Sequence, residues 1–392
     1  MKNLLSLPPL SLYIHYPWCI KKCPYCDFNS HTNTQRNDFE YIEALINDLK
    51  NDLPLVWGRP IHSIFIGGGT PSLISSKAIE LLFSQLRALL NFSPQIEVTI
   101  EANPGASDEE KFKIFSELGI NRLSIGVQSF NDQYLQSLGR IHSAKEAHHA
   151  IESAKSAGFE NINIDLMYGL PNQTIKTALC DIDEALKYQP NHLSYYQLTI
   201  EPNTPFYHSP PIIPNEEASF DIQAACYNKL INSNYSRYEI SAWTANLENK
   251  QYTSKHNLNY WNFGDYLGIG AGAHSKISTI TDNTIIRKIK HKHPKAYLKA
   301  NHKNSPDTYV LEQNIIDSKD LIFEFMLNTS RLINGFSSEL FTQTTGLSLN
   351  ELEPYLKKAI EQGFVIKDND KIIPTEHGIN FLNDLQLIFL DS

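Results

Sequence analysis

Cysteine is scarce in this chain. Only Cys19, Cys23, Cys26, Cys180 and Cys226 occur in 392 residues. Three of them fall within one short stretch, too close together to pair usefully with the distant two. That argues against a disulfide framework and favours a metal site. Long apolar runs are missing too: no 18-residue stretch could form a membrane-spanning helix. The N-terminal segment MKNLLSLPPLSLYIHYPWC is interrupted by Pro8 and Pro9 and has no small-residue cleavage site, so no secretory signal is expected and a cytoplasmic address is. Nor is there a basic excess. With 34 Lys and Arg against 43 Asp and Glu the net charge is −9, which argues against nucleic acid as a partner. The remaining composition, 41% hydrophobic and 20% charged, excludes a disordered or collagen-like chain. A chain this long predicts one large domain with one or two smaller ones.

What is present is alternation. Short apolar runs at Leu12–His15, Ser63–Ile66, Glu97–Ile100, Arg122–Gly126, Asn161–Leu166 and His192–Tyr196 read as strands. Between them, Asp38–Leu53, Ser76–Leu90, Ser107–Leu118, Ser143–Ala157 and Thr174–Lys187 read as helices. Several start at a Ser, Thr or Asp suited to an N-cap, and two stop before a glycine, Gly119 or Gly158. Strands joined by helical crossovers must run parallel. The expected fold class is therefore α/β, a partial (β/α)6 barrel of TIM type, with a doubly wound open sheet as the alternative. A further helix at Glu216–Ile231 and strands at Tyr238–Trp243 and Leu267–Ala271 extend the unit. Residues Arg287–Lys299 hold six Lys or Arg and no acid, and read as a solvated surface segment or, alternatively, a patch for anionic groups.

From about residue 310 the texture changes. Helices are expected at Ser318–Thr329, Ser337–Thr344 and Leu349–Gln362. A hairpin should turn at Asp368-Asn-Asp, and a last helix should span Glu376–Leu385. This order resembles a winged helix. Residues 301–392, however, carry 7 Lys or Arg against 14 Asp or Glu, a balance that repels phosphate. The module reads as a protein or ligand lid. The expected domains are 1–235, the barrel core; 236–300, its extension; and 301–392, the winged-helix-like module.

Cys19-Ile-Lys-Lys-Cys23-Pro-Tyr-Cys26 lies straight after the first strand, at the barrel mouth where chemistry is expected. Thiolates at C-x3-C-x2-C spacing can hold three irons of a [4Fe–4S] cluster and leave the fourth open. The alternative is a structural zinc site with His15, Asp27 or His31 as fourth ligand. Further polar groups follow the ends of later strands. Gly67-Gly-Gly-Thr70 allows close backbone approach to a ligand, and with no lysine after it a nucleoside triphosphate site is not expected. Glu101 suits an ammonium or a ribose hydroxyl, Gln128 is a neutral hydrogen bonder, Arg140 can pair with a carboxylate, and Asp165 suits ribose hydroxyls.

The cysteine motif, with Tyr25 before its last cysteine, resembles the signature of the radical S-adenosylmethionine superfamily. The glycine motif and the strand-end residues match as well. The resemblance implies a [4Fe–4S] cluster on Cys19, Cys23 and Cys26, with S-adenosylmethionine chelating the open iron. It also implies that Tyr13, Tyr25, Gly68, Gly69, Thr70, Glu101, Gln128, Arg140 and Asp165 contact that ligand, with backbone near Tyr196 and His274. Over nearly the whole chain the likeness is to the group that contains oxygen-independent coproporphyrinogen III dehydrogenase and shorter heme chaperones. Only 18 residues precede the first cluster cysteine, Asp27-Phe28 stands where the dehydrogenase has Gly-Cys, and His256-Asn-Leu-Asn-Tyr260-Trp261 resembles the chaperones' heme signature. Heme is thus an implied cofactor, with His256, Tyr260 and Trp261 as candidate contacts. Heme-acceptor proteins are the implied partners, with respiratory enzymes at a membrane face among them. The opposing reading of His256–Trp261 is ordinary core packing, and the opposing functions are the dehydrogenase and a radical methyltransferase. Cys180 and Cys226 read as small buried apolar residues.

Overall fold

The computed structural model describes residues 3–32, 35–106, 109–247, 252–301 and 306–390. The alternation is realised by β1 (Leu10–Tyr16), β2 (Pro60–Gly68), β3 (Asn91–Ala102), β4 (Arg122–Gln128), β5 (Asn161–Tyr168) and β6 (His192–Gln197). The helices between them are α1 (Asp38–Val56), α2 (Ser76–Leu89), α3 (Glu109–Glu117), α4 (Ala144–Ser156) and α5 (Ile175–Leu186). Successive strands pair side by side and parallel. The helix signals act where they were expected. Ser143 and Thr174 each form a capping box, and Gly119 and Gly158 take positive φ just past α3 and α4. The expected cap at Ser107 lies outside the described residues.

Period-two alternation decides between barrel and open sheet. Leu12, Ile14, Ile64, Ile66, Val98, Ile100, Leu123, Ile125, Ile162 and Ile164 are buried in the core beneath the helices. The intervening positions are mostly polar, Ser11, Tyr13, His15, Glu97, Thr99, Glu101, Ser124, Gln128, Asn163 and Asp165, with Phe65 the apolar exception. A doubly wound sheet is apolar on both faces, because helices cover both. Here one face is apolar and the other polar, so the sheet curls around a polar lumen as a partial barrel.

Both ends of the sheet are extended. After α6 (Glu216–Asn232), β7 (Tyr235–Glu239) and β8 (Ala242–Ala245) add antiparallel to β6. The single strand expected at Tyr238–Trp243 is therefore a hairpin that turns at Ile240-Ser241. Helix α7 (Lys255–Trp261) leads into β9 (Asp265–Ile269), which pairs parallel with β1. Then β10 (His274–Thr279), β11 (Thr284–Lys290) and β12 (Val310–Ile315) continue antiparallel. The sheet so runs past the boundary expected at residue 301.

The basic segment is corrected by this topology. Its first part is strand β11, and Lys288 and Lys290 point inward instead of into solvent. Lys290 Nζ lies 2.5 Å from Asp48 and 2.6 Å from Asp52 of α1, and Lys288 lies 3.0 Å from Asp52. An isolated sequence window shows the lysines but not the acids that face them.

A second core holds the C-terminal module: α8 (Ser318–Thr329), α9 (Ser338–Thr345), α10 (Leu349–Glu361) and the three-stranded sheet of β13 (Phe336–Ser337), β14 (Val365–Asp368) and β15 (Lys371–Pro374). Phe325, Phe341, Leu352, Leu356 and Phe389 fill its centre. The last expected helix breaks at Phe381 into two short ones. Cys226 is buried as expected, whereas Cys180 is exposed, because it falls on the solvent face of α5. Among the described residues no helix is long and apolar enough to cross a membrane.

Candidate functional site

The cysteine loop leaves β1 and is pinched at its base, where Trp18–Cys19 pairs with His31–Thr32. Its far side is fixed by a turn, Cys26 N to Cys23 O at 3.1 Å, and by Phe206 N donating to Pro24 O. The glycine motif at the end of β2 seats the loop. Gly69 N donates to Tyr16 O at 2.7 Å and Thr70 N to Trp18 O at 2.8 Å. A Cβ on Gly69 would stand 2.5 Å from the Trp18 carbonyl oxygen, and Gly68 has φ +114° with the His15 ring equally close. These glycines are needed because two backbones touch there.

All three cysteines line one cavity of about 720 Å³ that runs through the lumen. Tyr25, Gly68, Gly69, Thr70, Glu101, Gln128, Arg140 and Asp165 line it too. Eleven of the twelve residues assigned to cluster and S-adenosylmethionine therefore converge on one space. Tyr13 is the exception, and lines an adjoining cavity of about 430 Å³ together with His15, Gly68, Glu101, Tyr260 and His274.

The polar groups are held in place from behind. Glu101 Oε2 accepts Gly68 N at 3.0 Å. Burial, reinforced by the charge of Asp165, pushes its carboxyl up to about 7. Asp165 accepts from Ser124 at 3.2 Å and Asn163 at 2.7 Å, and burial raises its pKa as well. Gln128 has φ +70°, and its amide oxygen accepts the Tyr196 hydroxyl at 2.7 Å. Arg140 donates to Gly126 O at 2.8 Å and sits 3.7 Å from the Cys23 sulfur, while its buried Nε has no partner. The cavity thus pairs two crowded carboxylates with an arginine holding an unused donor. Such a set suits a ligand that carries a cation, hydroxyls and a carboxylate.

The donor set offers three thiols, and neither His15 nor His31 is free to serve as a fourth zinc ligand. A zinc site needs four donors converging on one point. Among the described residues no three His, Cys, Asp or Glu side chains form such a group. His15 is committed elsewhere, with Nδ1 2.9 Å from the Tyr13 hydroxyl and Nε2 2.9 Å from Asn29 O, and His31 Nε2 lies 3.1 Å from Asn29 Oδ1. Three thiols lining one cavity are the number that three irons of a cluster would take, one thiolate each.

The His256–Trp261 motif forms α7, which lies against β1, β2 and β9. Glu97 caps its N-terminus, accepting Lys255 N and His256 N at 3.1 Å each. His256 is 3% exposed and lines neither cavity. Its Nδ1 lies 3.0 Å from Ser63 Oγ, its Nε2 has no partner, and burial drives its pKa down to about 3. Tyr260 faces the smaller cavity and Trp261 the larger. The three candidates therefore do not meet on one surface.

The larger cavity also contains residues that the sequence reading passed over: Arg122, Asn163, Ser194, Glu239 and Arg331. The strand residues were marked by polar positions at period two within apolar runs. Arg331 carried no such signal, since only the chain's tertiary path brings it to Trp261, 4.3 Å from the ring centre.

Residues 13–183 match the Radical SAM superfamily, and residues 316–381 match the HemN C-terminal domain. A protein of Haemophilus influenzae named heme chaperone HemW is 46% identical over 98% of this chain and 99% of its own length. Proteins of the same name from Escherichia coli and Bacillus subtilis are 44% and 35% identical, covering 99% and 97% of this chain and 100% and 99% of theirs. Among solved structures, Escherichia coli coproporphyrinogen III oxidase (HemN), a radical SAM enzyme, superposes with a TM-score of 0.80. That alignment covers 98% of this chain and 90% of the oxidase at 23% identity, a likeness of fold. The cysteine loop, its glycine seat and the end-to-end identity agree: this chain belongs to the radical SAM superfamily, which implies a [4Fe–4S] cluster and S-adenosylmethionine, and within it to the family of proteins named heme chaperone HemW.

Proposed function

We propose that this protein is a heme chaperone of the cytoplasm, which binds heme beside a [4Fe–4S] cluster with S-adenosylmethionine and passes the heme to acceptor proteins. The proposed acceptors are apo-hemoproteins, with respiratory enzymes at the membrane face among them. What carries the reading is identity of 44–46% over essentially whole chains to proteins of that name, against 23% to the oxidase of shared fold.

Cys19, Cys23 and Cys26 would hold the cluster. Tyr13, Tyr25, Gly68, Gly69, Thr70, Glu101, Gln128, Arg140 and Asp165 would hold S-adenosylmethionine. When bound, this pair supplies one-electron chemistry at a sulfonium carbon. The chain's own part is positional: Gly69 and Thr70 fix the loop, Tyr196 fixes Gln128, and Arg140 ties the strand end at Gly126 to Cys23. His256, Tyr260 and Trp261 are the proposed heme contacts. Burial keeps the His256 imidazole neutral and its Nε2 has no partner, so it would be available to bind heme iron once the site opens to it.

The test is heme titration of the anaerobically reconstituted protein, followed by absorbance, with His256→Ala beside it. Stoichiometric binding that weakens in His256→Ala supports both the function and the ligand. Unchanged binding in the variant would return His256 to core packing, and no binding in either would remove the chaperone reading.

A further inference from the structure

The end of the large cavity remote from the cysteines has a chemistry of its own. Arg122, the first residue of β4, is 2% exposed and lines the cavity there. Its Nε has no partner, and among the described residues no carboxylate comes within ion-pair distance. Two more buried donors share this space without partners, Trp261 Nε1 and Arg331 Nε. Arg331 is otherwise engaged, stacked on the Trp261 ring and paired with Glu239 at 3.1 Å. Buried polar atoms left without partners are costly, so a cluster of them facing a cavity implies a ligand that completes them.

All three orphan atoms are N–H donors, which calls for an acceptor. Arg331 has Glu239 as its ion-pair partner, whereas Arg122 makes no ion pair and only feels the charge of Asp165 from the same cavity wall. A singly charged carboxylate suits such a donor set, whereas a phosphate dianion would crowd the cavity's own acids.

We propose that Arg122, Trp261 and Arg331 form a carboxylate-binding compartment at this end of the cavity. Trp261 serves as a shelf with one donor at its edge, and Arg122 supplies the charge. The carboxylate belongs either to a porphyrin propionate or to a small free acid. The first source rests on the heme reading given above; the compartment itself does not.

The experiment uses full-length, anaerobically reconstituted protein and metal-free protoporphyrin IX, so that iron ligation plays no part. Binding of the free acid is compared with that of its dimethyl ester, and succinate is tested separately by thermal shift. The wild-type protein should prefer the acid over the ester by about tenfold or more, the value of a charge-assisted hydrogen bond. Arg122→Gln and Trp261→Phe should bring that ratio towards one, with cluster absorbance retained, and Arg122→Lys should keep more of it than Arg122→Gln. If acid and ester bind alike but succinate stabilises the wild type and not Arg122→Gln, the compartment stands with a free acid as its ligand, and the heme reading loses this support. Should Arg122→Gln and Trp261→Phe leave both the ratio and the succinate shift unchanged, the compartment is disproved.

Discussion

Lys290 and Arg122 are both cations shut away from water, 1% and 2% exposed, on opposite faces of one curled sheet. Lys290 faces α1 and is fully matched. Asp48 and Asp52 flank it, Tyr297 donates to Asp48 at 2.7 Å, and Gly270 N reaches the same carboxylate at 3.2 Å. Arg122 faces the lumen and is matched by no ion pair. The network around Lys290 holds the end of β9 against α1, aided by Tyr41, whose hydroxyl joins His15 O and Ala271 N. Burial alone therefore does not distinguish structure from function; completeness of the hydrogen bonding does.

Removing one partner from the complete network should have the largest effect. Lys290→Met leaves Asp48 buried beside Asp52 with only Lys288, on Asp52, to offset the pair, and should cost about 3–5 kcal/mol in urea denaturation. Adding Asp48→Asn should return part of that loss. A Lys290→Met variant of wild-type stability would erase the contrast.

Next is the glycine seat. Gly69→Ala places a methyl group against the Trp18 carbonyl, which should cost about 1–3 kcal/mol and weaken retention of the cluster, read by the decay of its absorbance.

Glu101 sharpens the comparison through pH. Burial and Asp165 raise its carboxyl from 4.5 to about 7, so the folded protein binds a proton that the unfolded chain has released. Its contribution to stability is full below about 4.5 and is lost as pH rises through about 7. Wild type relative to Glu101→Gln should therefore lose stability between pH 5 and pH 8, measured by urea denaturation at each pH. An opposite slope would show that Glu101 is paired and belongs with the complete network.

The smallest expected effect is the most telling. Arg122→Gln orphans no partner, so its unfolding free energy should stay within about 0.5 kcal/mol of wild type. A loss like that of Lys290→Met would mean that Arg122 is structural after all.

Much of this was legible in the amino-acid sequence. Six strands, five crossover helices and the cysteine loop stand where periodicity and caps placed them, since each depends on residues near in sequence. The barrel itself was readable in the alternation of Tyr13 and Glu101 with their apolar neighbours. What was hidden depends on distant partners. Lys288 and Lys290 looked solvated because Asp48 and Asp52 lie some 240 positions away. For His256 the choice between heme contact and core packing stayed open, because nothing local shows that Glu97 and Ser63 enclose it. Arg331 meets Trp261 only through the docking of the C-terminal module.

The central proposal is that this protein carries heme and does not convert a porphyrinogen. One anaerobic, cluster-loaded preparation, given S-adenosylmethionine and a reductant, should be offered heme and coproporphyrinogen III in parallel. The account predicts about one heme bound per chain and no protoporphyrinogen IX. Steady formation of protoporphyrinogen IX without stable heme binding would contradict it.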